Sequence, residues 1–323
     1  MCGEQSGGRM TFPTETVSVL RCPACGRNNS RQWKTLNGWR LEKCTVCGMI
    51  YVSPRPSEAS LLAAYALPRD EYDNFFHTEY LDTDCFLGGE RVWIAEKARE
   101  QLGRLHRILQ RKGKIFELGC GGGQFLEIAA AEGWETAGVD PGDWVRSSEK
   151  DERLGIQRCS LFEARLEAGS FDAVFMASVL EHIAEPERYV VYLQRLLKNG
   201  GLLFISGLPN VQSLTILLGI DRWIGGHPPL HLLFFSRRSA RTMLERLGFA
   251  DISIRSYGIP ETLLELIFRR AGERVRNDYV QHVYRRSLVG AGIRALRHAL
   301  YGVFDITGMG SVLEISCFKP PVE

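Results

Sequence analysis

Apolar positions repeat with two different periods along the chain, and each period predicts its own kind of element. From Glu90 to Leu109, Val92, Ile94, Ala95, Ala98, Leu102, Leu105 and Leu109 recur at three- and four-residue steps. That spacing puts one apolar stripe on a helix, and the whole span 57–112 reads as helical. Beyond Lys112 the period changes. Lys114–Leu118 and Thr136–Asp140 read as strands, with a helix from Gln124 to Glu132 between them. Phe171–Met176 and Gly201–Ser206 are further strands around a helix from Pro186 to Leu197. A helix from Ser236 to Leu247 precedes the strands 251–256 and 311–318, and the 53 residues 258–310 between those two strands are mostly helical in pattern. Strands alternating with helices predict an α/β fold, a mostly parallel sheet covered on both faces. Right-handed crossovers then gather the strand C-terminal ends on one edge, where ligands bind.

Ahead of this region the texture differs. Residues 1–20 read as a lead-in, and Arg21 to Pro56 carries two cysteine pairs in short alternating runs closed by Ser53-Pro54-Arg55-Pro56. Three parts follow: 1–56, 57–112 as a helical linker and cap, and 113–323 with the helical insertion 258–310. Cys22, Cys25, Cys44 and Cys47 form two C-x-x-C-G turns with 18 residues between them. Such a turn aims two sulfurs at one ion, so the set predicts a structural zinc ribbon. The other five of the nine cysteines are scattered, which argues against a disulfide framework.

Bulk composition narrows the function classes. A hydrophobic fraction of 45% and net charge of +2 describe an ordinary globule, with no signal for whole-molecule binding to nucleic acid or membrane. No run approaches the ~18 apolar residues of a membrane span, and Met1–Met10 lacks the apolar core of a secretory signal, so the expected location is the cytoplasm. Residues 1–56 hold eight Lys and Arg against three Asp and Glu. That is a mildly basic module without the clustered basic and aromatic residues of an RNA-binding surface.

The sharpest chemical signal is Glu117-Leu118-Gly119-Cys120-Gly121-Gly122-Gly123, a glycine turn between a strand and a helix. Bare backbone lets a ligand come close, and the helix start offers free N–H groups to a carboxylate. A dinucleotide fingerprint would need glycine at position 124, where Gln stands. Asp140, about twenty residues on, ends the second strand and can accept both hydroxyls of a ribose.

These residues, together with Phe171-Asp172-Ala173-Val174, Val179-Leu180-Glu181-His182-Ile183, Leu196-Leu197-Lys198-Asn199-Gly200-Gly201 and Pro209-Asn210, resemble in order the class I S-adenosylmethionine (SAM) dependent methyltransferases. The resemblance covers roughly residues 90–256 and the closing strand. It implies a Rossmann-like, mostly parallel seven-stranded sheet. Glu117 would hold the methionine amino group, the backbone of Gly119, Cys120, Gly121 and Gly123 the methionyl part, and Asp140 the ribose. Leu161 and Phe162, in the stretch after the third strand, would flank the adenine, and Met176 with its neighbours would floor the sulfonium. The N-terminal ribbon resembles that of bacterial methyltransferases of sugar, glycan and natural-product pathways.

Methyl transfer to a hydroxyl needs alignment and a proton acceptor. His182, past the fourth strand, and His231, in a Pro-x-His-x-x-x-Phe-Ser stretch after the fifth, are the candidate catalytic residues, with His231 preferred over His227. Ubiquinone-pathway O-methyltransferases, which this stretch resembles, add a Glu three residues before the Glu of the Glu-His pair to bind a divalent cation. Ser178 holds that position here, which favours a base over a metal. The insertion 258–310 would form a lid; with Arg255 it counts nine arginines, and a phosphate-linked acceptor is the sharper reading beside a plain solvated face. The expected function is methyl transfer to a small-molecule or glycan hydroxyl such as that of a sugar. An RNA methyltransferase and a non-catalytic SAM- or zinc-binding interaction protein are the alternatives.

Overall fold

The computed structural model describes residues 15–67, 90–142, 148–218, 228–258 and 302–321. The body of the expected lid and His227 lie outside the described residues.

The α/β expectation holds. A seven-stranded sheet forms from β6 (Lys114–Leu118), β7 (Glu135–Val139), β8 (Ile156–Gln157), β9 (Phe171–Ala177), β10 (Leu197–Pro209), β12 (Ala250–Tyr257) and β13 (Val312–Phe318). Its order is β12-β13-β10-β9-β6-β7-β8, and β13 alone runs antiparallel to its neighbours. The chain winds outward from β6 to β8, then returns to the other side of β6 as β9. That reversal opens a crevice at the C-terminal ends of β6 and β9.

Alternation along the strands sorts side chains between the two faces. Ile115, Ala173, Phe175, Leu202 and Phe204 pack under α2 (Glu90–Leu109) and α3 (Gln124–Ala131), where Ala98, Leu102, Leu105 and Leu109 form the buried stripe. Phe116, Val174, Met176, Leu203 and Ile205 face the other way, toward α5 (Pro186–Leu196) and α7 (Arg237–Arg246). Each fully buried Leu or Phe contributes about 1.5–3 kcal/mol from apolar burial, so both faces are needed to hold the sheet. α5 begins with proline in its first turn, where a missing N–H costs nothing.

Element boundaries differ from the sequence reading in instructive places. The helical span after residue 57 contains α1 (Glu58–Tyr65) and then α2, which ends at Leu109. β10 starts at Leu197, directly on the end of α5, because Leu197 already pairs with Phe171. Two further short helices are α4 (Ser148–Leu154) before β8, and α6 (Leu214–Leu217) after β10.

The N-terminal module is a second sheet. β2 (Ser30–Leu36) and β3 (Trp39–Cys44) form a hairpin through Asn37 and Gly38, both at positive φ, the pair that a tight hairpin turn demands. β4 (Ile50–Val52) adds to β3, and β1 (Thr16–Val17) pairs with β5 (Arg55–Pro56). The fourth strand comes from elsewhere in the chain: β11 (Leu233–Phe234) pairs with β4. Leu232 through Phe235 are completely buried, so the two modules share one core.

Candidate active site

Backbone geometry builds the crevice floor. Gly119, Gly121 and Gly123 all take positive φ, at +71°, +49° and +73°. A Cβ on Gly119 would sit 2.5 Å from Val179 Cγ2, whereas one on Gly121 would meet nothing within 4 Å. Gly119 is thus glycine for packing, and Gly121 leaves bare backbone beside open space. Gly119→Ala should cost about 1–3 kcal/mol of stability, from left-handed strain plus the clash, measurable as a lowered urea midpoint. Cys120 contributes backbone, since its buried sulfur packs against Gly138.

Two carboxylates flank this turn. Asp140 Oδ2 accepts from Gly121 N–H at 2.8 Å and Oδ1 from Gly142 N–H at 2.8 Å. Burial raises its pKa against the pull of those two N–H groups. Glu117 is buried, and its Oε2 has no hydrogen-bond partner. Desolvation, and secondarily the charge of Asp140, push its carboxyl well above the usual range. An orphaned buried carboxylate is costly unless a cation completes it. The ammonium of a methionyl group is such a cation, so these residues fit SAM.

One residue escaped the sequence reading. Arg158 holds Asp151 with both ends of its guanidinium, at 2.8 and 2.7 Å, and donates to the carbonyl of Gly121 at 2.7 Å. It ties the glycine turn to α4, and nothing local in the sequence marks it.

The remaining cofactor candidates are placed less directly. Leu161 is buried, and the ring of Phe162 packs edge-on against Tyr189 and Tyr192 with the Arg188 guanidinium 3.8 Å from its centre. What residues 160–162 can offer an adenine is therefore backbone rather than ring. Met176 is fully enclosed, so the floor surface is offered by Ala177 and Ser178 at the end of β9.

Past β9 the structure brings both candidate histidines together, in a perpendicular ring pair with centroids 4.6 Å apart. Leu230 O lies 2.8 Å from His182 Nδ1, and Leu232 N–H donates to Glu181 O at 2.8 Å. The residues on either side of His231 are thus bonded to the turn that carries Glu181 and His182. A carbonyl can only accept, so His182 Nδ1 carries the proton and Nε2 the lone pair. Burial lowers the His182 pKa to about 4, which keeps the ring neutral. The side chain retains 18% exposure. Glu181, 3.9 Å from that nitrogen, is buried with Oε2 unpartnered, and desolvation raises it to about 8. Lys97 of α2 adds its charge nearby, itself lowered by burial. Ligand atoms of Glu181, His182 and His231 all lie within 4.8 Å of one another, so His231 brings a third donor where Ser178 offers no carboxylate.

The four cysteine sulfurs also converge within 4.8 Å. Cys22 Sγ to Cys47 Sγ is 3.5 Å and Cys25 Sγ to Cys44 Sγ 3.6 Å, far beyond the ~2.05 Å of a disulfide. A zinc tetrahedron with Zn–S near 2.3 Å separates its sulfurs by about 3.8 Å. The donor set therefore fits zinc.

Comparison with known proteins places this architecture. The profile of a family described as "Methyltransferase domain" matches residues 91–254. The ubiquinone biosynthesis O-methyltransferase of Ruegeria sp. (strain TM1040) is 38% identical over 155 residues, 45% of this chain and 63% of the relative. The mitochondrial ubiquinone biosynthesis O-methyltransferase of Mus musculus is 34% identical over 117 residues, 33% of this chain and 31% of the relative. The chain thus spans less than two thirds of either curated relative. Among solved structures, a SAM dependent methyltransferase from Archaeoglobus fulgidus aligns with a TM-score of 0.47 at 23% identity, covering 74% of this chain and 99% of the other.

Proposed function

We propose that this chain, which belongs to the methyltransferase-domain family, transfers the methyl group of SAM to a hydroxyl of a small-molecule acceptor. The observation that carries the reading is the unpartnered Glu117 carboxyl beside the bare turn at the sheet's switch point. A hydroxyl acceptor is supported by the names of the relatives, ubiquinone biosynthesis O-methyltransferases. Within that class a sugar or glycan hydroxyl is the narrower proposal, resting only on the resemblance of the cysteine ribbon to that of bacterial methyltransferases of sugar, glycan and natural-product pathways.

SAM, when bound, supplies an activated methyl carbon. Glu117 and Asp140 would anchor its two ends, and the turn 119–123 would align the sulfonium in a site with little water. Transfer of that methyl to an acceptor hydroxyl would release the hydroxyl's proton, which this chain's residues would have to accept. His182 Nε2 would take that proton. Glu181 stands within charge reach of the imidazolium so formed, and the His231 ring stands perpendicular to that of His182.

Because Glu181 is raised to about 8 while His182 is neutral throughout, ionisation of Glu181 sets the pH response. Turnover should rise roughly tenfold between pH 7 and 9, and Glu181→Gln should flatten that limb. Stability runs the other way. A folded pKa above the unfolded value contributes stability that is fully present below about 4.5 and is lost as pH rises through about 8. Glu181→Gln should thus melt above wild type at pH 9. An unchanged rate limb in the variant would remove Glu181 from the proton inventory.

The acceptor class is tested with methyl-labelled SAM against pools of sugar nucleotides, phenolic hydroxyls and RNA, with His182→Ala and His231→Ala alongside. Label in a small-molecule hydroxyl, slowed in both variants at unchanged SAM affinity, is the expected result. Label in RNA would overturn it, and so would SAM binding without transfer to any pool.

A further inference from the structure

Between the cysteine module and α5 lies a cavity of about 460 Å³, within the size range of ligand sites. It lies apart from the residues given roles in methyl transfer. Arg21, Arg55, Arg188 and Arg246 line it, with Glu185 and Glu187. Both acids already have partners: Arg246 holds both oxygens of Glu187 at 2.9 and 3.0 Å, and Arg188 holds Glu185 at 3.2 Å. Arg246 is further committed to the carbonyls of Ala24 and Pro23, and Arg188 to Glu58.

Arg55 is different. Its side chain sits on β5 in the Ser-Pro-Arg-Pro exit, only 7% exposed, and neither Nε nor Nη1 has a hydrogen-bond partner. A guanidinium donates in a fixed fork matched to an oxyanion, and one left buried without acceptors is unfavourable. Glu185 is near enough to favour its charge but makes no ion pair with it. The cavity also meets the start of α5, whose N-cap residue Glu185 makes no side-chain capping bond, so the N–H groups of Glu187 and Arg188 have no intrahelical acceptor. Arg21 stands exposed at the mouth.

We propose that this cavity is a phosphoryl-oxyanion site in which Arg55 forks onto the anion. Four thiolates around a zinc leave two negative charges beside the four arginines and two glutamates, so the preference for a phosphoryl group over a carboxylate rests on the unpartnered guanidinium of Arg55 rather than on net charge. The same group arrives either as inorganic phosphate or as the phosphomonoester of a larger ligand, and the cavity has room for both.

The test titrates inorganic phosphate and glycerol phosphate into the zinc-loaded full chain by calorimetry, with acetate as the carboxylate arm. Wild type should bind phosphate saturably, with Kd on the order of 0.1–1 mM, and acetate at least tenfold more weakly. Arg55→Met should weaken phosphate at least tenfold, and Arg21→Met about threefold. Glycerol phosphate bound as tightly as phosphate would assign the site to a phosphorylated ligand, and phosphate alone to the free ion. Melting gives an independent reading. Without phosphate Arg55→Met should melt about 3 °C above wild type, because a buried unpaired charge has gone, and at saturating phosphate below it. No saturable phosphate uptake by wild type overturns the proposal, as does equal uptake by the Arg55 variant. Loss of zinc in place of phosphate from that variant also overturns it, and reassigns Arg55 to balancing the thiolates. If Arg55→Met does not fold, unchanged phosphate affinity in Arg21→Met decides against the site.

Discussion

Cys44→Ser should abolish zinc binding and lower methyl transfer by at least 100-fold while affinity for S-adenosylhomocysteine changes by less than about threefold. The asymmetry follows from where the cysteine module is fastened. Among the described residues β11 pairs with β4 alone, with only an isolated bridge from the adjoining Phe235 to Asn210, and Val52 N–H donates to Leu232 O at 2.9 Å. On the other side Leu232 N–H bonds Glu181 O. His231 thus stands on a segment clamped between the cysteine module and the turn of Glu181 and His182. Arg246 reaches the carbonyls of the first cysteine turn and Arg238 that of Val46 in the second, so both turns brace against α7. A structural zinc supplies an apparent ~10–16 kcal/mol in small ribbon-like units. Without it β4 loses its shape, β11 its partner, and His231 its place beside His182. The glycine turn, Glu117 and Asp140 belong to β6, β7 and α3, none of which pairs with the module. Metal analysis, calorimetry with S-adenosylhomocysteine and a transfer assay on the same preparation check this. Full transfer by a zinc-free chain would show that the module plays no part in placing His231.

That clamp could not be read from the sequence, and the reason is physical. Helices and the strands β6, β7 and β9 announce themselves through local period, and the glycine turn through its missing side chains. Pairing of β4 with β11 joins positions about 180 residues apart and leaves no periodic trace. Leu232-Leu233-Phe234-Phe235 is an unbroken apolar run. In sequence it is only part of the stretch after the fifth strand, and the second sheet is what buries it. Arg158 and Arg55 were hidden for the same reason: what marks them depends on what folding brings beside them, the Gly121 carbonyl for one and, for Nε and Nη1 of the other, no acceptor among the described residues. Glu181 was visible as half of a Glu-His pair, but its proton affinity is set by burial. The convergence of the four cysteines and the placement of Glu117 and Asp140 on either side of the glycine turn were legible because each follows from spacing along a strand or a tight turn.

Asp140→Ala should weaken SAM binding about 10³-fold, the larger of two contrasting effects at the two carboxylates. Asp140 is doubly engaged before any ligand arrives, fixing Gly121 and Gly142 through their N–H groups. Each oxygen keeps a further lone pair for a ribose hydroxyl. Hydrogen bonds to a charged group contribute about 1.5–3 kcal/mol each. Two lost to the ribose, with a loosened turn besides, give roughly the thousandfold effect. The variant should also be less stable, since two turn N–H groups lose their acceptor. Glu117→Gln should behave oppositely in the unliganded state. Its carboxyl is buried with Oε2 unpartnered, so the neutral amide relieves a cost, and the variant should melt above wild type. With ligand the sign reverses: the amide has no charge to offer an ammonium, and affinity should fall about 10–100-fold. Because burial raises the pKa of Glu117, wild-type SAM binding releases a proton and tightens as pH rises, and the Gln variant should lose that slope. Calorimetry in buffers of different ionisation enthalpy reads the proton directly. A Glu117→Gln chain that binds SAM as tightly as wild type, with the same pH slope, would detach that carboxylate from the cofactor and with it the observation on which the methyl-transfer reading stands.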